Sequence, residues 1–127
     1  MKKKYSAMWK ASTQPRKQRK YRYNAPLHIL GKFLNGHLCK ELREKIKTRS
    51  VRLRTGDQVK VIRGTYKNKV GKISRVDVKN SQIFVEGIER PKKEGGKAFI
   101  PINPNQVIIT QLDESNKRRL KQNGKKA

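Results

Sequence analysis

Residues 54–76 read RTGDQVKVIRGTYKNKVGKISRV. Val59 and Val61 stand at alternate positions, as a half-buried strand requires, and the apolar beat resumes at Ile73. Between them lie Arg63, Gly64, Tyr66, Lys67, Asn68, Lys69, Gly71 and Lys72. The pattern predicts a strand, a cation-rich turn and a second strand. Gly56 and Gly64 belong to turns. Gly71 opens the second strand, where it either takes a backbone angle barred to other residues or lets another backbone come close. Apolar parity changes between Ile73 and Val76, which a flat strand cannot accommodate, so a bulge or strong bend is expected there.

Outward from this unit, QIFVEG, AFIPI and QVIITQL read as three further strands. Lys79-Asn80-Ser81 makes a turn, IERPKKEGGK reads as a polar, mobile loop, and Pro101 marks an edge or a strand end. Five short strands within residues 56–112 predict a small, strongly bent barrel. Its inward set is Val59, Val61, Ile73, Val76, Ile83, Val85, Ile100, Ile102, Val107 and Ile109. Before it, TRSVRLRT at 48–55 predicts an extended strand end with Arg49, Arg52 and Arg54 outward, bracketing Val51 and Leu53.

The chain has 127 residues, 33% of them hydrophobic, with 34 Lys and Arg against 9 Asp and Glu, a formal charge of +25. The basic excess holds in residues 1–50, 51–112 and 113–127 alike. Such a density repels itself unless a polyanion supplies counter-charge, nucleic acid before an anionic membrane surface. One cysteine, Cys39, forms no intramolecular disulfide, and with His28 and His37 it falls short of a four-ligand zinc site. The histidines are read as hydrogen-bond donors to phosphate or backbone, and Cys39 as a small packing residue. No apolar run reaches membrane-span length, and no apolar region follows the cations of MKKKYSAMWK, as a secretory signal requires.

Residues 1–23 show no sustained apolar period and are expected to be disordered in isolation. Tyr5, Trp9, Tyr21 and Tyr23 are interleaved with Lys and Arg, as in an arm that orders on RNA with cations on phosphates and aromatics on exposed bases. In residues 24–47, Asn24 is a candidate N-cap with Pro26 in the first turn. Leu27, Leu30 and Leu34 form one helical stripe, Asn35-Gly36 a break, and Leu38, Leu42 and Ile46 a second stripe. Asp113, Glu114 and Ser115 open a short C-terminal helix that Gly124 would stop. The chain divides into a basic arm (1–23), a short helical segment (24–50), the β module (51–112) and a basic helix or tail (113–127).

A rigid β base that presents Arg63, Lys67, Lys69 and Lys72 with Tyr66 suits phosphates and an occasional base stack. It carries no nucleophile–base set, no phosphate-cradling glycine loop and no metal-ligand spacing, which argues against an enzyme and against a cofactor. Asp57, Asp77, Glu86, Glu89 and Glu94 are read as local partners of Lys and Arg.

The stretch GDQVKVIRGTYKNKVGKISRV resembles a KOW motif, found in ribosomal proteins and transcription elongation factors. The flanks PRKQRK, NAPLH, HLCKELREK, RSVRLRTGD, IFVEGI, PINPNQVIITQLD and NKRR follow in the order of one family. The chain is therefore similar, from about residue 12 to 122, to the large-subunit ribosomal protein L twenty-four family in its archaeal and eukaryotic form, called L twenty-six in eukaryotes. The resemblance implies a mostly β fold, an SH3-like barrel with a basic N-terminal extension containing short helices and a short C-terminal helix. It implies cytoplasmic residence in the large ribosomal subunit, binding to rRNA near its five-prime domain, early assembly and a place near the peptide exit tunnel. Carried onto this chain, the rRNA contacts fall on Arg16, Lys17, Arg19, Lys20, Asn24, His28, Lys40, Arg43, Arg49, Arg52, Arg54, Arg63, Lys67 and Lys69, and the turn chemistry adds Lys72. Expected partners are the rRNA and neighbouring large-subunit proteins, with no membrane and no homo-oligomer. Asn68 stands where the family's turn often has glycine, and Asn tolerates the left-handed conformation. Cys39 replaces a usual Ser and weakens a helix cap. A KOW-bearing elongation factor contacting RNA polymerase is the alternative, disfavoured by the long basic arm. A membrane-surface binder is the third reading.

Overall fold

The computed structural model describes residues 5–115 and 118–123. Its helices are α1 (Pro15–Asn24), α2 (Leu27–Leu30), α3 (Lys40–Ile46) and α4 (Arg118–Asn123). Its strands are β1 (Asn35–Leu38), β2 (Ser50–Arg52), β3 (Gln58–Val61), β4 (Val70–Asp77), β5 (Gln82–Pro91), β6 (Lys97–Ile102) and β7 (Val107–Gln111). Short 3-10 turns cover Ala7–Ala11, Gly31–Leu34 and Pro104–Gln106. Helix and strand occur in nearly equal amounts, so the fold is mixed rather than mostly β.

The strands form one seven-stranded sheet, ordered β2-β1-β7-β3-β4-β5-β6. All neighbours are antiparallel except β1 and β7. Among the described residues no pairing joins the two edges, β2 and β6. The register shifts between Ile73 and Arg75, where the parity of the sequence demanded a bulge. Pro101 lies in β6, an edge strand, where its missing N–H leaves no interior ladder gap. Gly71 is the close-approach glycine: a Cβ there would stand 2.5 Å from the Glu86 carbonyl oxygen.

Eight of the ten expected inward residues are buried, while Val76 and Ile100 are partly buried. The core also takes Leu34, Leu38, Val51 and Leu53 from the segment before the KOW stretch, and Ile88 from what was expected to be a mobile loop. β5 in fact runs through IERP to Pro91 and pairs with β6 there, leaving Lys92–Gly96 as the turn. A second register shift, between Phe84 and Glu89, broke the period that would have revealed it.

The N-terminal region departs furthest from expectation. PRKQRKYRYN is a helix begun by Pro15 in its first turn, where proline is tolerated. Tyr21 is 5% exposed, with the Tyr5 ring stacked at 5.4 Å and Phe33 edge-on at 6.4 Å. Burying one such ring contributes on the order of 1.5–3 kcal/mol, which offsets ordering cost that the polar composition alone could not. The Gln18 amide donates to the carbonyls of Trp9, Lys10 and Ser12 at 3.1, 3.1 and 2.8 Å, joining the preceding turn to α1. Asn24 ends α1 and caps no helix; Pro26 holds the N-cap position of α2. Leu38 belongs to β1 rather than to a helical stripe, and α3 starts after Cys39, whose side chain makes no capping bond.

Asp57 is fully buried and is no local partner. Its carboxylate accepts the backbone N–H groups of Arg54 and Asp113, each at 3.0 Å, and the two terminal guanidinium nitrogens of Arg119, at 2.8 and 2.5 Å. Arg119 on α4 is itself 7% exposed, so the C-terminal helix is fastened to the Gly-Asp step of the KOW stretch. The expected helix stop at Gly124 lies outside the described residues.

Candidate nucleic-acid interface

The KOW turn is built by its backbone. Val61 N–H donates to the Lys69 carbonyl at 2.9 Å and Asn68 N–H to the Val61 carbonyl at 2.8 Å, closing the loop between β3 and β4. Asn68 sits at φ 70° and Gly64 at φ 94°, so the turn uses asparagine where left-handed geometry is needed. Arg63, Lys67, Lys69 and Lys72 are all exposed around it. Tyr66 is half-buried against the core and carries the Lys69 ammonium 4.9 Å from its ring centroid. The ring therefore anchors the turn, and the cations rather than an open aromatic face are what the turn offers.

On α1, Arg16, Arg19 and Lys20 share one helix face at i, i+3, i+4 spacing and are exposed, while Lys17 is half-buried. Tyr23 continues that face and is 78% exposed. The aromatics read as base-stackers thus divide: Tyr5 and Tyr21 pack on each other, and Tyr23 faces outward. Hydrogen bonding to Tyr21, ahead of burial, raises the Tyr5 hydroxyl above an ordinary tyrosine. Arg19, Arg22, Tyr23 and Leu30 meet Lys79, Asn80 and Ser81 of the β4–β5 turn around an open cleft of about 300 Å³. Asn80 and its neighbours are held by Asp77, which accepts the Asn80 amide at 2.8 Å and its backbone N–H at 3.3 Å. These contacts, the side-chain one first, hold the Asp77 carboxyl below its ordinary value.

Arg49, Arg52 and Arg54 point outward while Val51 and Leu53 are buried, as the alternation predicts. The Arg52 guanidinium rests over Gly31, where a Cβ would stand 2.8 Å away. Arg52 and Arg54 share an open cleft of about 470 Å³ with Thr55, Ser74 and Arg75. Asn24 is half-buried, His28 and Lys40 are exposed, and Arg43 is turned inward, donating to the Leu38 carbonyl at 3.3 Å. Arg43 thus serves α3 and β1 before any external anion. The structure brings Arg63, Lys67, Lys69 and Lys72 together on one turn, Arg16, Arg19 and Lys20 on one helix face, and Arg52 with Arg54 on one cleft.

The sequence reading does not single out Arg22, Arg75 and Lys79, which the structure places at these clefts. Arg22 falls in a segment expected to be disordered, Arg75 inside a strand, and Lys79 in a turn that carries no expected role. Arg75 lies 5.6 Å from the Phe84 ring centroid and Arg22 5.1 Å from that of Phe33, so both are preorganised over aromatic faces. Arrays of exposed guanidinium and ammonium groups on fixed elements bind phosphate oxygens. Among the described residues no cluster of metal-ligating side chains occurs, and no helix is long and apolar enough to cross a membrane.

Comparison with known proteins places the chain among ribosomal relatives. Large ribosomal subunit protein uL24 of Methanocorpusculum labreanum is 48% identical over 103 residues, covering 81% of this chain and 85% of that protein. Large ribosomal subunit protein uL24 of Korarchaeum cryptofilum is 45% identical over 118 residues, covering 91% and 90%. Residues 12–126 match the family described as ribosomal proteins L twenty-six, eukaryotic, and L twenty-four P, archaeal, and the chain belongs to that family.

Proposed function

We propose that the protein is a non-enzymatic constituent of the cytoplasmic large ribosomal subunit that binds large-subunit rRNA near its five-prime domain, assists early assembly and lies near the peptide exit tunnel. The observation that carries this reading is a formal charge of +25 whose guanidinium and ammonium groups are held outward on α1, on the arginines about β2 and on the KOW turn, in a chain of this family. The rRNA contacts are the exposed members of the set read from the sequence, with Arg22, Arg75 and Lys79 added. Residues 1–23 act as the arm, 24–50 as its link, 51–112 as the central module and 113–127 as a basic end. The sheet is read as an SH3-like barrel, supported by the register shifts in β4 and β5 and by the close approach of Gly71 to β5. Neighbouring large-subunit proteins are its further partners. It works as one copy, away from membranes.

Salt-dependent binding to a five-prime-domain rRNA fragment tests the reading. Each phosphate contact releases counterions, so log affinity falls steeply and linearly with log salt. A shallow slope, or tighter binding to RNA polymerase than to the fragment, contradicts it and favours the elongation-factor reading.

A further inference from the structure

One face of the molecule is unlike the rest. α3, the end of β7 and α4 enclose a groove of about 650 Å³ with Leu42, Ile46, Leu112 and Leu120 along it. All four aliphatic side chains are half-buried rather than sealed. Among the described residues, its rim carries Glu41, Asp113 and Glu114 against one cation, Lys45. The chain has only 9 acidic residues in all, so three of them on one groove is a local reversal of sign. Asp113 is kept ionised chiefly by the Ser115 backbone N–H at 3.1 Å, then by the Ser115 hydroxyl at 2.9 Å, its pKa held below the ordinary value. Arg119 is turned inward onto Asp57, and together with Lys72 it adds a weaker attraction that also holds Asp113 ionised.

RNA fits this surface poorly. Phosphates would meet carboxylates, and half-buried leucines offer no hydrogen-bond donors for a backbone or a base edge. A peptide segment with an apolar face and flanking Lys or Arg satisfies both parts of the groove. We infer that the α3–β7–α4 groove is the docking site for a basic amphipathic segment of a neighbouring protein in the large subunit. The identity of that setting rests on the function proposed above; the groove itself does not. The molecule is then two-sided, with cations toward rRNA and this acidic-rimmed groove toward protein.

A photo-crosslinking amino acid at Gln111, an exposed rim position, tests this in the full chain expressed in its native cells. After irradiation, large subunits are isolated on a gradient and the crosslinked partner is sequenced. The expected product is a protein segment rich in Lys or Arg with apolar residues between them. The exposed-rim variant Glu41→Lys/Glu114→Lys should lower its yield by about tenfold or more while rRNA affinity stays the same or rises. Crosslinking to rRNA, crosslinking to a second copy of the chain, an acidic or polar partner segment, no crosslink, or a yield unmoved by the charge reversal each overturns the inference. Co-sedimentation of the uncrosslinked protein is read in the same gradient. Absence from the large subunit defeats the proposed function, whereas presence there without a protein crosslink defeats only the groove.

Discussion

Asp57 joins three separate parts of the chain. It is fully buried and holds Arg119, Arg54 N–H and Asp113 N–H at once. Removing one member of a buried pair leaves the other charge uncompensated, at a cost of about 3–5 kcal/mol. Asp57→Ala and Arg119→Ala should each lower the unfolding free energy read from urea denaturation by an amount of that order, and the double variant by less than their sum. Independent, additive effects would show that the pair is not coupled. Gly71→Ala should also destabilise, because its Cβ would press on the Glu86 carbonyl oxygen and on the Val85 side chain. By contrast, Val61→Ala removes only buried methyl groups and should cost about 1–3 kcal/mol, read from the same denaturation.

The turn carboxylate supplies a pH prediction at the same scale. The pKa of Asp77 is lowered in the folded chain, so its contribution is present above the unfolded-state value and is lost as pH falls through the folded one. The Asn80 side-chain amide resonances should therefore shift in the acid range, below ordinary aspartate titration. A titration at or above the ordinary aspartate value would contradict the Asp77–Asn80 contact.

Among the elements, α1 is where sequence and structure part. Its residues show no apolar stripe, and what fixes it is Tyr21 packed between Tyr5 and Phe33, contacts between residues distant in sequence. No local pattern encodes that. The same holds for β1, which reads as a helix break because asparagine and glycine open it, yet pairs with both β2 and β7. The strands from Gln58 to Asp77 were legible because each buries one face and alternates, and even their bulge followed from parity. β5 was half legible, since its irregularity after Phe84 destroyed the alternation that would have extended it. For the interface, residue type was readable but orientation was not: Arg43 reads as an rRNA contact and is turned inward, and Arg119, given no individual role by the sequence, is buried on Asp57.

The element-scale prediction follows from α1. Replacing Arg16, Lys17, Arg19 and Lys20 with Ala keeps good helix formers and leaves Tyr21 in place. Helical circular dichroism and the thermal midpoint should change little, while the log–log salt slope for the rRNA fragment should fall by about 3–4. Loss of the sheet signal in that variant would mean that α1 is part of the folding unit rather than a mounted RNA contact. An unchanged slope would remove α1 from the interface.

At the scale of the whole molecule, a small β core carries outward cations on several of its elements. The self-repulsion of a free chain with +25 formal charge is relieved when rRNA supplies the counter-charge, and a ligand that prefers the folded state stabilises it by mass action. Thermal stability should therefore rise on addition of the five-prime-domain fragment and fall back as salt is increased. A midpoint indifferent to rRNA would separate folding from binding.

The most direct test of the central claim is sedimentation of the tagged protein from its native lysate through a sucrose gradient with a high-salt wash. The account predicts that it travels with the large subunit in stoichiometric amount and stays there through the wash. Recovery at the top of the gradient, or with RNA polymerase, would contradict it.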